Sequence, residues 1–398
     1  MKKVFLIILF ILIGVGGYYY YNFRGSSVYI SSSELSHFSR LVPGIPESCA
    51  HVDAIEYYYY EDISLQEAKN NKFGLYIYPD NEQFIELADE LVNSNDGDWG
   101  YVLLPYNVQE RDREKWERVF YLLNKKHLIP IVQLWNVDPT KHKEQTIKAA
   151  EFLNSFIWPI KPRYISVYNE PNDAKFWDGT VDPEKYANVL SYTIDKFKEE
   201  NEDFFIMNGG LNVSASTTNT SLDSFDFMWR MNQESPGIFE RLDGWASHSY
   251  PQPNFSGSPY SSGRWSIRAY EDELAYLKSS FGVADLPVFI TETGWAHSAG
   301  SSYDNQYISL DKVAENLKIA YEEVWLPDDR VRAVMPFTVW YEPPFDHFSW
   351  VDSRWVPYAQ FQTIKHMKKV DANPPKLSSR DFLVRMRRIG IISPCWLH

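Results

Sequence analysis

The sequence predicts an α/β fold, a (β/α)8 TIM barrel preceded by an N-terminal transmembrane or signal segment. Three observations predict it. Eight apolar, strand-like runs recur from about residue 72 onward. Amphipathic helical stretches lie between most of them. The eight units together occupy about 290 residues, the size of one such barrel. Strands alternating with helices imply parallel pairing through crossover helices. A doubly wound open sheet is the rival, but no Gly-rich phosphate turn follows the first strand.

The elements follow in chain order. The chain opens MKKVFLIILFILIGVGGYYYYNFRG, with Lys2 and Lys3 ahead of an uncharged stretch from Val4 to Tyr21. That stretch is at the short limit of a spanning helix and longer than a usual signal core. No small-residue cleavage site follows it, and Tyr18 to Tyr21 suit an interfacial aromatic belt. Residues 1–24 are therefore expected to be an uncleaved membrane anchor. The protein would be single-pass, with its bulk outside the cytoplasm; a cleaved signal and a secreted protein is the alternative. Residues 25–71, irregular and rich in Ser and Tyr, read as a spacer and approach segment.

The expected strands are 73–79 (FGLYIYP), 99–106 (WGYVLLPY), 127–135 (HLIPIVQLW) and 164–170 (YISVYNE). The second four are 204–209 (FFIMNG), 244–250 (GWASHSY), 287–293 (PVFITET) and 331–340 (VRAVMPFTVW). REKWERVFYLLNKK places Trp116, Val119, Phe120 and Leu123 at helical spacing. EQTIKAAEFLNSF, EKYANVLSYTIDKFKEE, YEDELAYLKSSF and LDKVAENLKIAYEEVWL repeat the pattern. A closing helix near 357–369 completes a barrel spanning 72–370, and 371–398 reads as a tail, first Pro-rich and then basic.

Composition narrows the function. The chain is 44% hydrophobic and 16% aromatic, enough for a sizeable core and against disorder. Its net charge of −14 argues against nucleic acid, whose binding is driven by Lys and Arg on phosphates. Two cysteines, Cys49 and Cys395, cannot form a disulfide framework or a thiolate metal site. No H-E-x-x-H, G-x-S-x-G or GxxxxGK[ST] occurs, so no metal, cofactor or serine nucleophile is expected. No protein partner is predicted.

Two strand ends carry the chemistry. YISVYNEPND (164–173) runs into Glu170, and PVFITETGWA (287–296) runs into Glu292. In a parallel barrel both would face one mouth, where active sites lie. Paired carboxylates at such a mouth are the tools of glycoside hydrolysis: one protonates the leaving oxygen, the other attacks the anomeric carbon. Asn169, beside the acid, is suited to hold a sugar 2-hydroxyl, and Pro171 stiffens the exit from the strand. Asn-Glu-Pro alone is a weak signal that a capping or surface glutamate also satisfies. Its pairing with Glu-Thr-Gly-Trp on the seventh strand is much more specific.

Asn169-Glu170 and Glu292, at the ends of the fourth and seventh strands, resemble the clan of retaining (β/α)8 glycoside hydrolases that includes the cellulase-like family 5. The resemblance covers roughly residues 72–370. It implies an acid/base role for Glu170 and a nucleophilic role for Glu292. His248-Ser249-Tyr250 matches a His-x-Tyr on the sixth strand, which implies that Tyr250 hydrogen-bonds the nucleophile and His248 lines the sugar site. Trp340, near the end of the eighth strand, matches the platform under the reacting sugar. Trp135 and Trp295, at strand ends, are further platform candidates, as are Trp177, Trp265 and Tyr341. Asp173, Asp178, Asp346 and His347 sit on expected mouth loops.

The clan commonly places an arginine on the second strand to keep the nucleophile ionised. WGYVLLPYN has none; Arg111 and Arg113 follow a few residues later. Either one of these reaches in or another group does the work. The expected activity is double-displacement cleavage of O-glycosidic bonds, β-linked, in an extracytoplasmic poly- or oligosaccharide. A retaining enzyme needs its carboxyl groups ~5–5.5 Å apart and their pKa values pushed apart. A non-catalytic, membrane-tethered carbohydrate-binding protein and a transglycosylase are the alternatives.

Overall fold

The computed structural model describes residues 56–381 apart from 62, 65, 66 and 285. The expected anchor, most of the spacer, both cysteines and the end of the tail lie outside the described residues. Among the described residues, no helix is long and apolar enough to cross a membrane.

Ala68–Pro374 form one compact unit. Its first sheet is β1 (Gly74–Tyr76), β2 (Tyr101–Asn107), β3 (Ile129–Trp135), β4 (Arg163–Val167) and β5 (Phe204–Asn208), parallel and in sequence order. A second sheet holds β6 (Trp245–His248), β7 (Val288–Thr293) and β8 (Val331–Pro336), also parallel. Parallel bridges Met207–Gly244 and Phe73–Val334 join the two sheets at both edges. The eight strands therefore close into a cylinder with no free edge.

The helices are α1 (Glu82–Val92), α2 (Arg113–Lys125), α3 (His142–Asn154), α4 (Pro183–Glu200), α5 (Ser224–Glu234), α6 (Ala269–Phe281), α7 (Leu310–Ile319) and α8 (Ala359–His366). α7 runs on into a π-helical stretch, Ala320–Trp325. Their starts are chemically marked. Asp112 accepts from the Lys115 amide and Asp182 from the Lys185 amide, with Pro183 opening α4. α2 buries Trp116, Val119, Phe120, Leu122 and Leu123, the stripe its spacing predicts. α8 packs against α7 and α1 and completes the ring.

The lower barrel is filled. Tyr101, Leu103, Ile129, Ile131, Tyr164, Met207, Phe289 and Ala333 form a buried interior cluster. Within it Tyr164 packs 5.1 Å from Phe289, centroid to centroid. Each such side chain contributes about 1.5–3 kcal/mol by burial. The plug closes the cylinder below, so ligand access is from the carboxyl ends.

Residues up to Glu67 and from Pro375 belong to a second unit. In it the strands Glu56–Tyr60 and Leu377–Asp381 pair antiparallel, Tyr58 opposite Ser379. The sequence reading has spacer and tail there. Each strand's partner comes from the other end of the chain, which a local pattern cannot reveal.

Several strands also stop short of expectation, the first at Tyr76 rather than at residue 79 and the sixth at His248 rather than at Tyr250. The fourth stops at Val167, three residues short of Glu170, and the eighth stops at Pro336 rather than at residue 340. These last two differences shape the site.

Candidate active site

Beyond β4 the backbone turns sharply. Tyr168 and Glu170 both have positive φ, 73° and 37°. That is uncommon for side-chain-bearing residues and is held by surrounding contacts. The Glu170 amide donates to the Gly210 carbonyl at 3.0 Å, and the Glu170 carbonyl accepts from the Asp173 amide at 2.9 Å. Tyr168 turns away from the mouth and packs against Trp177. Asn169 is steered by a chain of hydrogen bonds: the Tyr76 hydroxyl donates to Gln133 Oε1 at 3.2 Å, and Gln133 Nε2 donates to Asn169 Oδ1 at 2.9 Å. The Asn169 oxygen is thereby engaged, and its NH2 is the part presented to a ligand.

From the other sheet come His248, Tyr250 and Glu292. His248 Nδ1 lies 3.0 Å from Glu170 Oε1 and 3.8 Å from Glu292 Oε2. The Tyr250 hydroxyl donates to Glu292 Oε2 at 3.1 Å. One donor atom from each of Glu170, His248 and Glu292 lies within 4.8 Å of the other two. Room for the imidazole comes from Gly210, where a Cβ would sit 2.1 Å from His248 Cδ2. Phe255 and Phe348 fix the Tyr250 ring by edge contacts at 5.2 and 5.9 Å.

The electrostatics follow from burial. Desolvation, reinforced by the Glu170 charge, pushes the Glu292 carboxyl up to about 7; His248 and the Tyr250 hydrogen bond pull it back. His248 is raised despite burial, because Glu292, Glu170 and Glu273 all favour its cation. Burial and the two carboxylates raise the Tyr250 phenol well above its usual range, so it stays a donor.

Among the described residues, no arginine takes part. Arg111 donates to the Val108 carbonyl at 2.7 Å and lies over the Tyr106 and Phe152 rings. Arg113 pairs with Glu117 at 2.8 Å and donates to the Ser155 hydroxyl. Among the described residues, the basic group beside Glu292 is His248, 3.8 Å away.

Among the described residues, the same trio is the group whose donor atoms lie close enough together to hold a metal. However, His248 spends Nδ1 on Glu170, and its Nε2 packs against Gly210.

The trio sits in a cavity of about 610 Å³, within the ~300–1,000 Å³ range of small-molecule sites. Asn169, Glu170, His248, Tyr250, Glu292 and Trp135 all line it. Trp135 stands edge-on to Phe176 at 5.8 Å. Trp340 and Trp295 are not brought to the wall. Trp340 packs on Trp355 at 5.7 Å, against the outer core. The chain turns after Pro336, and Phe337 and Tyr341 face the cavity instead. Trp295 is 2% exposed, and its indole N–H donates to the Gly257 carbonyl at 2.7 Å. Trp177 is buried core, and Trp265 is exposed. Asp346 and His347 latch two loops, Asp346 to Ser301 and His347 to the His297 carbonyl.

The sequence reading did not include Tyr78, Phe176, Phe337, Phe345 or Phe348, nor Gln133, which orients Asn169. Tyr78 was findable as the last aromatic of the expected first strand. The others lie on loops or a buried strand face without periodic signal.

No family model matches the chain, and no curated protein matches it. Among solved structures it is similar to a GH128 (subgroup II) endo-beta-1,3-glucanase from Pseudomonas viridiflava. That likeness has TM-score 0.49 and 15% identity, and covers 74% of this chain and 97% of that one. It is also similar to a beta-glucuronidase from Ruminococcus gnavus (TM-score 0.47, 14% identity, 74% of this chain and 49% of that one). A beta-glucuronidase from an uncultured Clostridium sp. is a third (TM-score 0.46, 12% identity, 74% and 50%). The chain spans about half the length of these two glucuronidases.

Proposed function

We propose that this chain is a retaining glycoside hydrolase that cleaves O-glycosidic bonds, β-linked, in a poly- or oligosaccharide. One observation carries the reading. Glu170 and Glu292, from opposite sheets of the barrel, bring a carboxylate oxygen each within 4.8 Å of the other. That supports the short span of retaining sites, ~5–5.5 Å, over the ~6.5–9.5 Å of inverting ones.

In the first step a Glu292 oxygen attacks the anomeric carbon. The glycosidic C–O bond breaks, and the leaving oxygen takes a proton from Glu170. In the second, Glu170 takes a proton from water; the water oxygen bonds to the anomeric carbon, the ester bond breaks, and Glu292 regains its charge. His248 Nδ1, 3.0 Å from Glu170 Oε1, is the hydrogen-bond partner that orients the acid. Tyr250 and the His248 cation favour an ionised Glu292 and stand in for the missing arginine. Asn169 offers its NH2 to the 2-hydroxyl, and Trp135 is the ring positioned as a sugar platform. Action outside the cytoplasm, at a membrane reached through residues 1–24, rests on the sequence of that segment alone.

The test is reducing-end release by a soluble form starting at residue 26, across β-glucans, mannans, xylans, galactans and host-type glycans, beside Glu292→Ala. Activity that disappears in the variant, with the first product of retained configuration by NMR, is expected. An inverted first product rejects the mechanism, and activity that persists in the variant rejects the site. The absence, among the described residues, of an arginine at Glu292 favours a second reading, a binding-only barrel. Glycan binding without turnover would establish it. Longer sugar products would mark a transglycosylase.

A further inference from the structure

Successive residues along β6, the two residues that follow it, and β7 face opposite ways. His248, Tyr250 and Glu292 face the mouth. Ser247, Ser249, Thr291 and Thr293 face the surrounding helices, and all four are fully buried. The two serine hydroxyls meet, and the threonine hydroxyls donate to the Ser247 and Ser249 carbonyls. Ser247 and Ser249 lie 2.9 Å apart, oxygen to oxygen. Thr293 donates to the Ser249 carbonyl at 2.6 Å, and Ser249 Oγ accepts from the Tyr270 amide at 3.2 Å. The network ends on Glu273 of α6, whose Oε2 accepts from the Ser247 hydroxyl at 2.5 Å.

Glu273 is 1% exposed and makes no ion pair among the described residues. Burial pushes its carboxyl up to about 7. Ser247, the Trp245 indole, His248 and Arg264 act in the other direction. A carboxyl in such a place is costly, and an apolar residue would pack the same gap more cheaply. Its contact point is informative. Ser247 pairs with Ile290, but His248 pairs with Glu292, so the ladder shifts between Ser247 and His248. Such irregularities re-aim side chains, and a slip of one residue would turn His248 to the wrong face.

We propose that Glu273 is a positioning residue: from outside the barrel it pins Ser247 where the ladder shifts, and so sets His248 and Tyr250 against Glu170 and Glu292. The kinetic consequence rests on the glycosidase reading; the geometric one does not. Glutamine at 273 still offers an acceptor to Ser247, whereas leucine fills the volume without one.

The experiment uses the full chain as Glu273→Gln, Glu273→Leu, Ser247→Ala and the Leu/Ala double variant. The ring signals of His248 are read by NMR of histidine-labelled protein, identified by their loss in His248→Asn. Glu273→Gln should keep the native His248 signals. Glu273→Leu and Ser247→Ala should shift them alike, and the double variant no further. Where sugars are hydrolysed, kcat should fall about ten- to hundredfold in the Leu and Ala variants, the range a displacement of about 1 Å costs. KM should hold within about twofold, and Gln should restore the rate. The proposal is overturned if the Leu variant only lowers Tm, or if Gln disturbs His248 as Leu does. It is also overturned if the two single effects add. Should Glu273→Leu not fold, Ser247→Ala decides: unchanged His248 signals reject the proposal. A protein that hydrolyses no sugar yet shows these shifts rejects the glycosidase reading alone.

Discussion

The two sheets of the barrel deliver their functional groups in different ways. Across β1–β5 the parallel register is unbroken. Glu170 is aimed only after β4 has ended, by left-handed backbone at Tyr168 and Glu170. Across β6–β8 the register shifts between Ser247 and His248, between Val288 and Phe289, and between Ile290 and Thr293. There His248 and Glu292 project from inside the ladder. The regular sheet concentrates its control in one turn. The irregular sheet spreads it over hydroxyls, paired strands and α6. Changes to the irregular sheet should therefore reach the chemistry from farther away.

The sharpest break would come from Glu292→Ala. Loss of the attacking group should lower kcat by at least about 10⁴-fold, with the fold intact by circular dichroism. Glu170→Gln should cost about 10²–10⁴-fold on natural glycosides. Aryl glycosides with acidic leaving groups should escape most of that loss, since they leave without a proton. Equal losses on both substrates would deny Glu170 the acid role.

Tyr250→Phe should be milder, about ten- to hundredfold in kcat. It removes a hydrogen bond that holds Glu292 down, so the acid limb of the pH–rate profile should move to higher pH. An unmoved limb would mean that the irregular sheet tunes shape alone.

Stability should record the same contrast. Burial pushes the Glu292 carboxyl up from its ordinary 4.5 to about 7. Between those values the unfolded chain has released the proton and the folded one still binds it, so stability falls as pH rises. Glu292→Gln removes this loss. Relative to the native chain it should gain about 3 kcal/mol by pH 8 and little at pH 4. Denaturant midpoints at the two pH values check it. His297 runs the other way: burial pulls it down to about 4, so its contribution is lost as pH falls from about 6.5 toward 4. The comparison with wild type cancels that background.

The smallest effect on chemistry should come from the regular sheet. Leu103→Ala, in the fully buried plug, should lower stability by about 2–5 kcal/mol while kcat below the transition holds within about twofold. A large loss of kcat would show that the plug positions the site too.

Much of this was readable locally. The eight strands and the stripe on α2 follow from side-chain periodicity, which the backbone imposes residue by residue. Glu170 and Glu292 were readable because strand ends in a closed parallel barrel share one face. Trp340 misled because an apolar run through residue 340 is a strand by pattern. The ladder ends at Pro336, and the next aromatics, Phe337 and Tyr341, turn inward instead. Phe176 and Phe345 sit on loops, where no period operates.

Local pattern suffices for the alternation of strand and helix, for a glutamate at or just beyond each of two strands, and for the His-x-Tyr spacing, because these depend on neighbours within a few residues. Only the tertiary structure decided that His248 rather than an arginine stands beside Glu292, and which rings face the cavity. It also decided that Glu273 reaches Ser247 from a helix outside the barrel. Those relations join residues far apart in sequence, and closing the cylinder is what brings them within hydrogen-bond reach.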